Sequence, residues 1–224
     1  MQHSEYKRRF INPKFIISTM KILASGDIHG DTSLAKALAE KAEKENVDLV
    51  VLCGDLTYAE QSTEGIIGPF KAKGKQVVLI PGNHETFATV EFLTKQYSPD
   101  VFNLHGRSMM FYNEIGLFGA GGSNIGLFEL TENETHKILE NAHKPIANAK
   151  HKIMITHSPP FGTKIDALWE HVGSKAVRKQ IELIQPNMAL CGHIHETFGK
   201  TEKIGKTTVV NVGKEGIVVE IKKD

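Results

Sequence analysis

Five apolar runs, at 22–24, 47–53, 77–80, 153–156 and 188–191, each lead within two residues into glycine, aspartate, asparagine or histidine. Short apolar runs of this kind, each followed by a turn-forming or polar cluster, read as strands. Several are separated by segments with helical spacing. In 32–45, Leu34, Ala35, Leu38 and Ala42 share one face, and Asp31 stands where an N-cap belongs. Similar spacing predicts helices over 63–73, 86–97, 131–143 and 174–184. Strands alternating with helices predict an α/β domain. Residues 108–120 read as a hairpin turning at Asn113-Glu114, and 207–210 and 217–221 alternate like antiparallel strands, so the sheets are expected to be mixed.

The 224 residues are enough for one domain with a full core, assigned to 20–224, since no linker, repeat or low-complexity stretch divides them. Residues 1–19 read as a flexible N-terminal extension, with Met20 opening the first strand; Asn12 and Pro13 break its apolar patch, which is unlike a signal peptide. No run approaches the roughly 18 apolar residues of a membrane span, so a soluble, cytoplasmic protein is expected. Lys plus Arg number 27 against 26 Asp plus Glu, a balance that gives no strong field to recruit nucleic acid or an anionic membrane. Cys53 and Cys191 lie inside apolar runs and read as buried, reduced thiols rather than a disulfide or zinc pair.

The chemistry concentrates where the runs end: GDIHG at 26–30, Gly54-Asp55, GNHE at 82–85, His157, and GHIH at 192–195. Ligand sites of α/β sheets lie outside the carboxyl ends of the strands, so five distant segments can deliver side chains to one crevice. Alternate residues of an extended segment point the same way, so Asp27 and His29 are expected to converge, as are His193 and His195, with Ile194 turned to the packing side. Glycines 26, 54, 82 and 192 permit tight turns and close approach. The candidate metal ligands are Asp27, His29, Asp55, Asn83, His157, His193 and His195, more than one ion needs. If Asp55 bridges through its two oxygens, each of two ions receives four protein ligands. Imidazole with carboxylate suits manganese, iron or zinc better than calcium or magnesium.

Singly, each histidine has a structural reading, and His3, His105, His136, His143, His151 and His171 keep it. Asp27 and Asp55 alone would read as helix caps; joint placement turns the set towards metal chemistry. Asp31, Glu85 and Glu196 flank the ligands and either orient imidazoles or cap and solvate. The glycine-rich stretch 119–129 lacks the lysine of a phosphate-binding P-loop; it reads as a loop lining the cleft, with Asn124 a candidate for substrate contact. In the irregular stretch 158–173, Phe161, Lys164 and Trp169 either cover a substrate or belong to a stiff turn with Trp169 packed beneath it.

The five blocks, in this order, resemble the calcineurin-like metallophosphoesterases, whose motifs run D-x-H, GD, GNH[DE], H and GH-x-H; the resemblance extends from Gly26 to about Gly213. It implies a sandwich of two mixed β-sheets flanked by helices. It also implies one ion on Asp27, His29, Asp55 and His195 and a second on Asp55, Asn83, His157 and His193. Two such ions, about 3.5–4 Å apart, would activate a bridging hydroxide for in-line attack on phosphorus. His84, beside Asn83, would then act as the catalytic donor to phosphoryl oxygen or leaving group. The sequence departs from the family's protein phosphatases: Leu56-Thr57-Tyr58 follow Asp55 and Pro81 precedes Gly82, where those enzymes carry arginines. With arginine only at 8, 9, 107 and 178, a bidentate clamp on a phosphomonoester dianion is scarce, and the pattern is closer to small phosphodiesterase-like members. The expected activity is hydrolysis of a small phosphodiester or phosphomonoester, nucleotides among them. A nuclease is a rival that the net charge of +1 disfavours, and a non-catalytic metal-binding scaffold is another that the intact ligand set disfavours.

Overall fold

A computed structural model describes residues 19–222, so the extension expected over 1–19 lies outside the described residues except for Thr19, which opens the first strand. The chain then runs β1 (Thr19–Ser25), α1 (Thr32–Lys44), β2 (Leu49–Leu52), α2 (Gly68–Ala72), β3 (Val77–Leu79), α3 (Phe87–Gln96) and β4 (Val101–Asn103). It continues through β5 (Ser108–Phe111), β6 (Ile115–Ala120), α4 (Glu132–His143), β7 (His151–Thr156), α5 (Lys175–Ile184), β8 (Met188–Cys191), β9 (Thr201–Ile204), β10 (Thr207–Asn211) and β11 (Ile217–Lys222). One sheet has the order β11-β1-β2-β3-β4, parallel except for β11. The other has the order β5-β6-β7-β8-β10-β9, with β6, β7, β8 and β10 parallel and antiparallel strands at both edges.

Strand alternation explains why the runs are apolar throughout. Ile22, Ala24, Val51, Cys53 and Val78 point between the sheets, where they meet Leu117, Ile153, Ile155 and Leu190. Their neighbours Leu23, Val50, Leu52, Val77 and Leu79 point outward onto Leu38, Ala42, Phe70, Val90 and Leu93 of the first three helices. On the far side, Phe118, Met154, Ala189 and Val209 are covered by Leu139, Ala142, Val177 and Ile181 from α4 and α5. Each side chain of this size contributes about 1.5–3 kcal/mol when fully buried. The result is the expected sandwich of two mixed sheets flanked by helices. No described helix is long and apolar enough to cross a membrane.

Helix starts follow the sequence closely. Asp31 accepts from the amides of Ser33 and Leu34, Thr86 from Thr89, Ser174 from Val177, and Thr131 forms a reciprocal box with Glu134. The helix expected over 63–73 shrinks to Gly68–Ala72, because Gly65 takes a left-handed conformation and Pro69 marks a first turn. The strands at 207–210 and 217–221 do not pair with each other: β10 lies between β8 and β9, whereas β11 crosses to the other sheet and pairs with β1. The three-residue β4 and four-residue β9 escape sequence reading because they are too short to show a period.

Candidate metal centre

The carboxyl ends of β1, β2, β3, β7 and β8 meet along one edge of the sandwich and bring the candidate ligands together. Ligand atoms of Asp27, His29 and His195 lie within 4.8 Å of one another, as do those of His29, Asp55 and His84, and those of Asp55, His157 and His193. Asn83 joins the last group through Oδ1, 3.0 Å from His157 Nε2. All eight residues named from the sequence as metal ligands or catalytic donor are therefore neighbours.

The route to this convergence is not the extended one expected. Asp27, His29, Asp55 and His193 have φ of 57°, 50°, 53° and 74°, so the segments turn sharply after their strands instead of continuing as alternating chain. Left-handed backbone costs about 1–2 kcal/mol for a residue with a β-carbon. The turns let backbone amides hold the carboxylates: His193 N–H reaches both oxygens of Asp27 at 3.1 Å, and His84 N–H donates to Asp55 Oδ1 at 2.9 Å. Such strain, paid for by the surrounding fold, gathers at functional sites. Ile194 is buried as expected.

Asp55 occupies the middle. Its Oδ2 lies 3.7 Å from His29 Nε2 and 3.4 Å from His157 Nε2, while Oδ1 is engaged by the His84 amide. One oxygen thus faces both ligand groups, rather than one oxygen each. Burial disfavours charge on both Asp55 and His157, yet their mutual attraction wins: the carboxyl falls well below the usual range and the imidazole rises to about 9. Burial and then the nearby His157 lower His193 to about 3, and burial lowers His29. His195 is raised by its bond to Asp27, 3.5 Å away.

The donor set fits divalent ions. Nε2 of His29 and Nε2 of His195 face each other at 3.3 Å, close enough for one hydrogen bond between them or for a cation that both lone pairs would ligate. His157 is oriented through Nδ1 by the Cys53 carbonyl at 2.8 Å, leaving Nε2 towards Asp55 and Asn83. Cys53 and Cys191 are buried free thiols, as expected, and lie outside the three ligand groups.

The flanking acids divide by role. Asp31 caps α1, Glu196 is exposed, and buried Glu85 accepts from Gly82 N at 2.7 Å and Thr57 N at 3.2 Å. Glu85 therefore braces the two ligand loops through their backbone rather than orienting an imidazole; burial, then the charge of Asp55, pushes its acid up to about 7. Ser123, which sequence reading passed over, places Oγ 3.1 Å from His193 Nε2. Only its position in the glycine-rich loop hinted at this. Asn124 ties that loop to the next, accepting from Ser158 Oγ at 3.4 Å and donating to the Val172 carbonyl at 3.3 Å. Trp169 does not pack beneath its turn: it is 86% exposed, because Asp166 closes the loop by accepting from the amides of Gly162, Thr163 and Gly173.

Two predictions arise here. A β-carbon on Gly82 would collide with Asp55 Oδ1 and its backbone nitrogen, whereas one on Gly26 would meet nothing nearer than 3.4 Å. Gly82→Ala is expected to cost about 3 kcal/mol in denaturant unfolding, the upper end of overpacking, and Gly26→Ala much less. Equal costs would contradict the packing described. The second concerns His105, which stacks on Phe87 at 4.1 Å and accepts from Gly121 N–H at 2.9 Å, anchoring the loop that carries Ser123. Burial, helped by Arg107, lowers it from 6.5 to about 4. Its neutral form stabilises the fold fully above about pH 6.5, and that stability is lost as pH falls towards 4. In chelator-treated protein, His105→Gln is expected to flatten the stability–pH curve across this window; an unchanged curve would rule out His105 as its source.

A family model described as calcineurin-like phosphoesterase matches residues 20–197. The uncharacterized protein MJ1162 of Methanocaldococcus jannaschii is 34% identical over 222 residues, covering 93% of this chain and 95% of that protein. Among solved structures, TT1561 of Thermus thermophilus superposes with a TM-score of 0.72 at 19% identity, covering 88% of this chain and 91% of that one. A dimetal phosphatase from Danio rerio superposes with a TM-score of 0.59 at 10% identity, covering 87% of each chain.

Proposed function

Because the chain belongs to the calcineurin-like phosphoesterase family of phosphoric ester hydrolases, we propose that it hydrolyses a small phosphodiester or phosphomonoester, nucleotides included, at a centre of two divalent ions. The observation that carries this reading is Asp55 Oδ2, which faces His29 at 3.7 Å on one side and His157 at 3.4 Å on the other. Asp27, His29 and His195 would hold one ion and Asn83, His157 and His193 the other, with Asp55 shared. Manganese, iron and zinc suit this donor set. When bound, two such ions would lower the pKa of a water so that it can attack phosphorus as hydroxide at neutral pH, and would neutralise charge on the phosphoryl oxygens. The Danio rerio protein of the same fold is described as a dimetal phosphatase, in line with this reading.

His84 is the proposed catalytic donor. Its backbone is tied to Asp55, and its ring packs edge-on to His29 with centroids 4.7 Å apart. From there it can donate a proton to the departing ester oxygen or a hydrogen bond to a phosphoryl oxygen. Asn124, in the loop that also bears Ser123, is a further candidate for substrate contact. The described arginines, Arg107 and Arg178, pair with Glu91 and Glu182, which favours a diester monoanion over a monoester dianion. Buried thiols at Cys53 and Cys191 support a reducing, cytoplasmic setting.

The test is a panel of small phosphodiesters and phosphomonoesters, cyclic nucleotides included, together with DNA, assayed with Mn²⁺, Fe²⁺, Zn²⁺ and Mg²⁺. Turnover of at least one diester with one of the first three ions is expected. A protein that binds the ions but turns over nothing would be a scaffold, and cleavage of DNA alone would make it a nuclease.

A further inference from the structure

Tyr58 has no role in the reading above, yet it stands at the mouth of the site. Its ring lies 5.1 Å from that of His84 and 6.0 Å from that of His29, centroid to centroid, and the residue is 53% exposed. A tyrosine that borders a polar site and is half in solvent leaves part of its ring face free for contact.

The surrounding segment is built to keep the ring there. Thr57 is held from both sides, its N–H by Glu85 at 3.2 Å and its hydroxyl by the His84 carbonyl at 3.2 Å. Ala59 and Glu60 follow with φ of 50° and 58°, two consecutive left-handed residues without a glycine. That reversal is latched: Glu60 N–H donates to the His84 carbonyl at 3.1 Å, and its carboxylate accepts from Thr86 N–H at 2.7 Å and Thr86 Oγ1 at 2.6 Å. Backbone strain held in place by such bonds marks a position that is over-determined. Next to Asn83, Ile125, Leu127 and Phe128 are 41%, 60% and 37% exposed, in a segment whose Phe128 N–H donates to the Asn83 carbonyl.

We propose that Tyr58 is a substrate-contact residue whose ring forms a platform for the flat aromatic part of the leaving group, the base of a departing nucleoside or the ring of a departing phenol, on the His84 side of the centre. The inference rests on the phosphoesterase reading and narrows it to esters with a flat, apolar substituent. Stacking needs only the face of the ring, which Phe would also supply, whereas a hydrogen-bonding role would need the hydroxyl.

Binding tests this without turnover. The full chain loaded with Mn²⁺ is titrated calorimetrically with phenylphosphonate and with methylphosphonate, which share a phosphoryl group and differ in the flat substituent. Wild type is expected to prefer the phenyl ligand. Tyr58→Ala should cut that preference by about 5-fold to 150-fold, the range of base–aromatic stacking, at unchanged manganese content, and Tyr58→Phe should retain it. The proposal is overturned if wild type shows no preference, if Tyr58→Ala weakens both ligands equally, if it loses manganese, or if Phe behaves like Ala. Hydrolysis is then compared for a phenyl ester and a fluoroalkyl ester of matched leaving-group acidity. Absence of any turnover would sink the phosphoesterase reading, while the preference in binding would still decide the role of Tyr58.

Discussion

Asp55→Ala is expected to remove both metal ions from the protein, the largest effect any single substitution at the centre should have. Every other candidate ligand is proposed to serve one ion, whereas Asp55 Oδ2 faces His29 and His157 together. Its loss would leave each ion one ligand short and remove the negative charge between them. Elemental analysis after equilibration with Mn²⁺ gives the count: near two ions per wild-type chain, near none in the variant. The carboxylate also accepts from His84 N–H, so the alanine form risks a disordered loop. Asp55→Asn keeps an acceptor and nearly the same volume, and should fold while failing to hold both ions. Its melting temperature should then be insensitive to added Mn²⁺, since a ligand stabilises only a protein that binds it. Two ions at wild-type occupancy in either variant would refute the shared-ligand assignment.

His84→Ala should separate chemistry from metal binding. It is expected to retain both ions and to lower kcat by about 10²–10³, within the range for loss of a general acid or an electrostatic donor. The leaving group distinguishes those roles. If His84 protonates the departing oxygen, the defect should shrink for p-nitrophenyl esters, whose phenolate departs unaided, and grow for alkyl or nucleoside esters. A uniform defect would mean that His84 acts on the phosphoryl oxygens instead. The geometry makes metal content an essential control, because a ring nitrogen of His84 lies within 4.8 Å of ligand atoms on His29 and Asp55. Loss of an ion in His84→Ala would make it a ligand and remove both catalytic roles.

The sequence by itself determined which candidate residues converge. Ligand-type residues after five apolar runs can meet if those runs are strands whose carboxyl ends share one edge, and Asp27, His29, Asp55, Asn83, His157, His193 and His195 do converge with His84. It also determined most helix starts, because a cap such as Asp31 or Thr131 acts through amides two or three residues away. Contacts between distant segments leave no local periodicity, and these only the tertiary structure decided. The division of the last strands between two sheets depends on which edge each finds open: β11 beside β1, β10 between β8 and β9. The left-handed turns at Asp27, His29, Asp55 and His193 could not be read from alternation, because the bonds that stabilise them come from other segments. The same holds for Glu85, a flanking acid in sequence and a buried brace between two loops in space, and for Tyr58, whose exposure beside His84 is set by a latch to Thr86 at the start of α3.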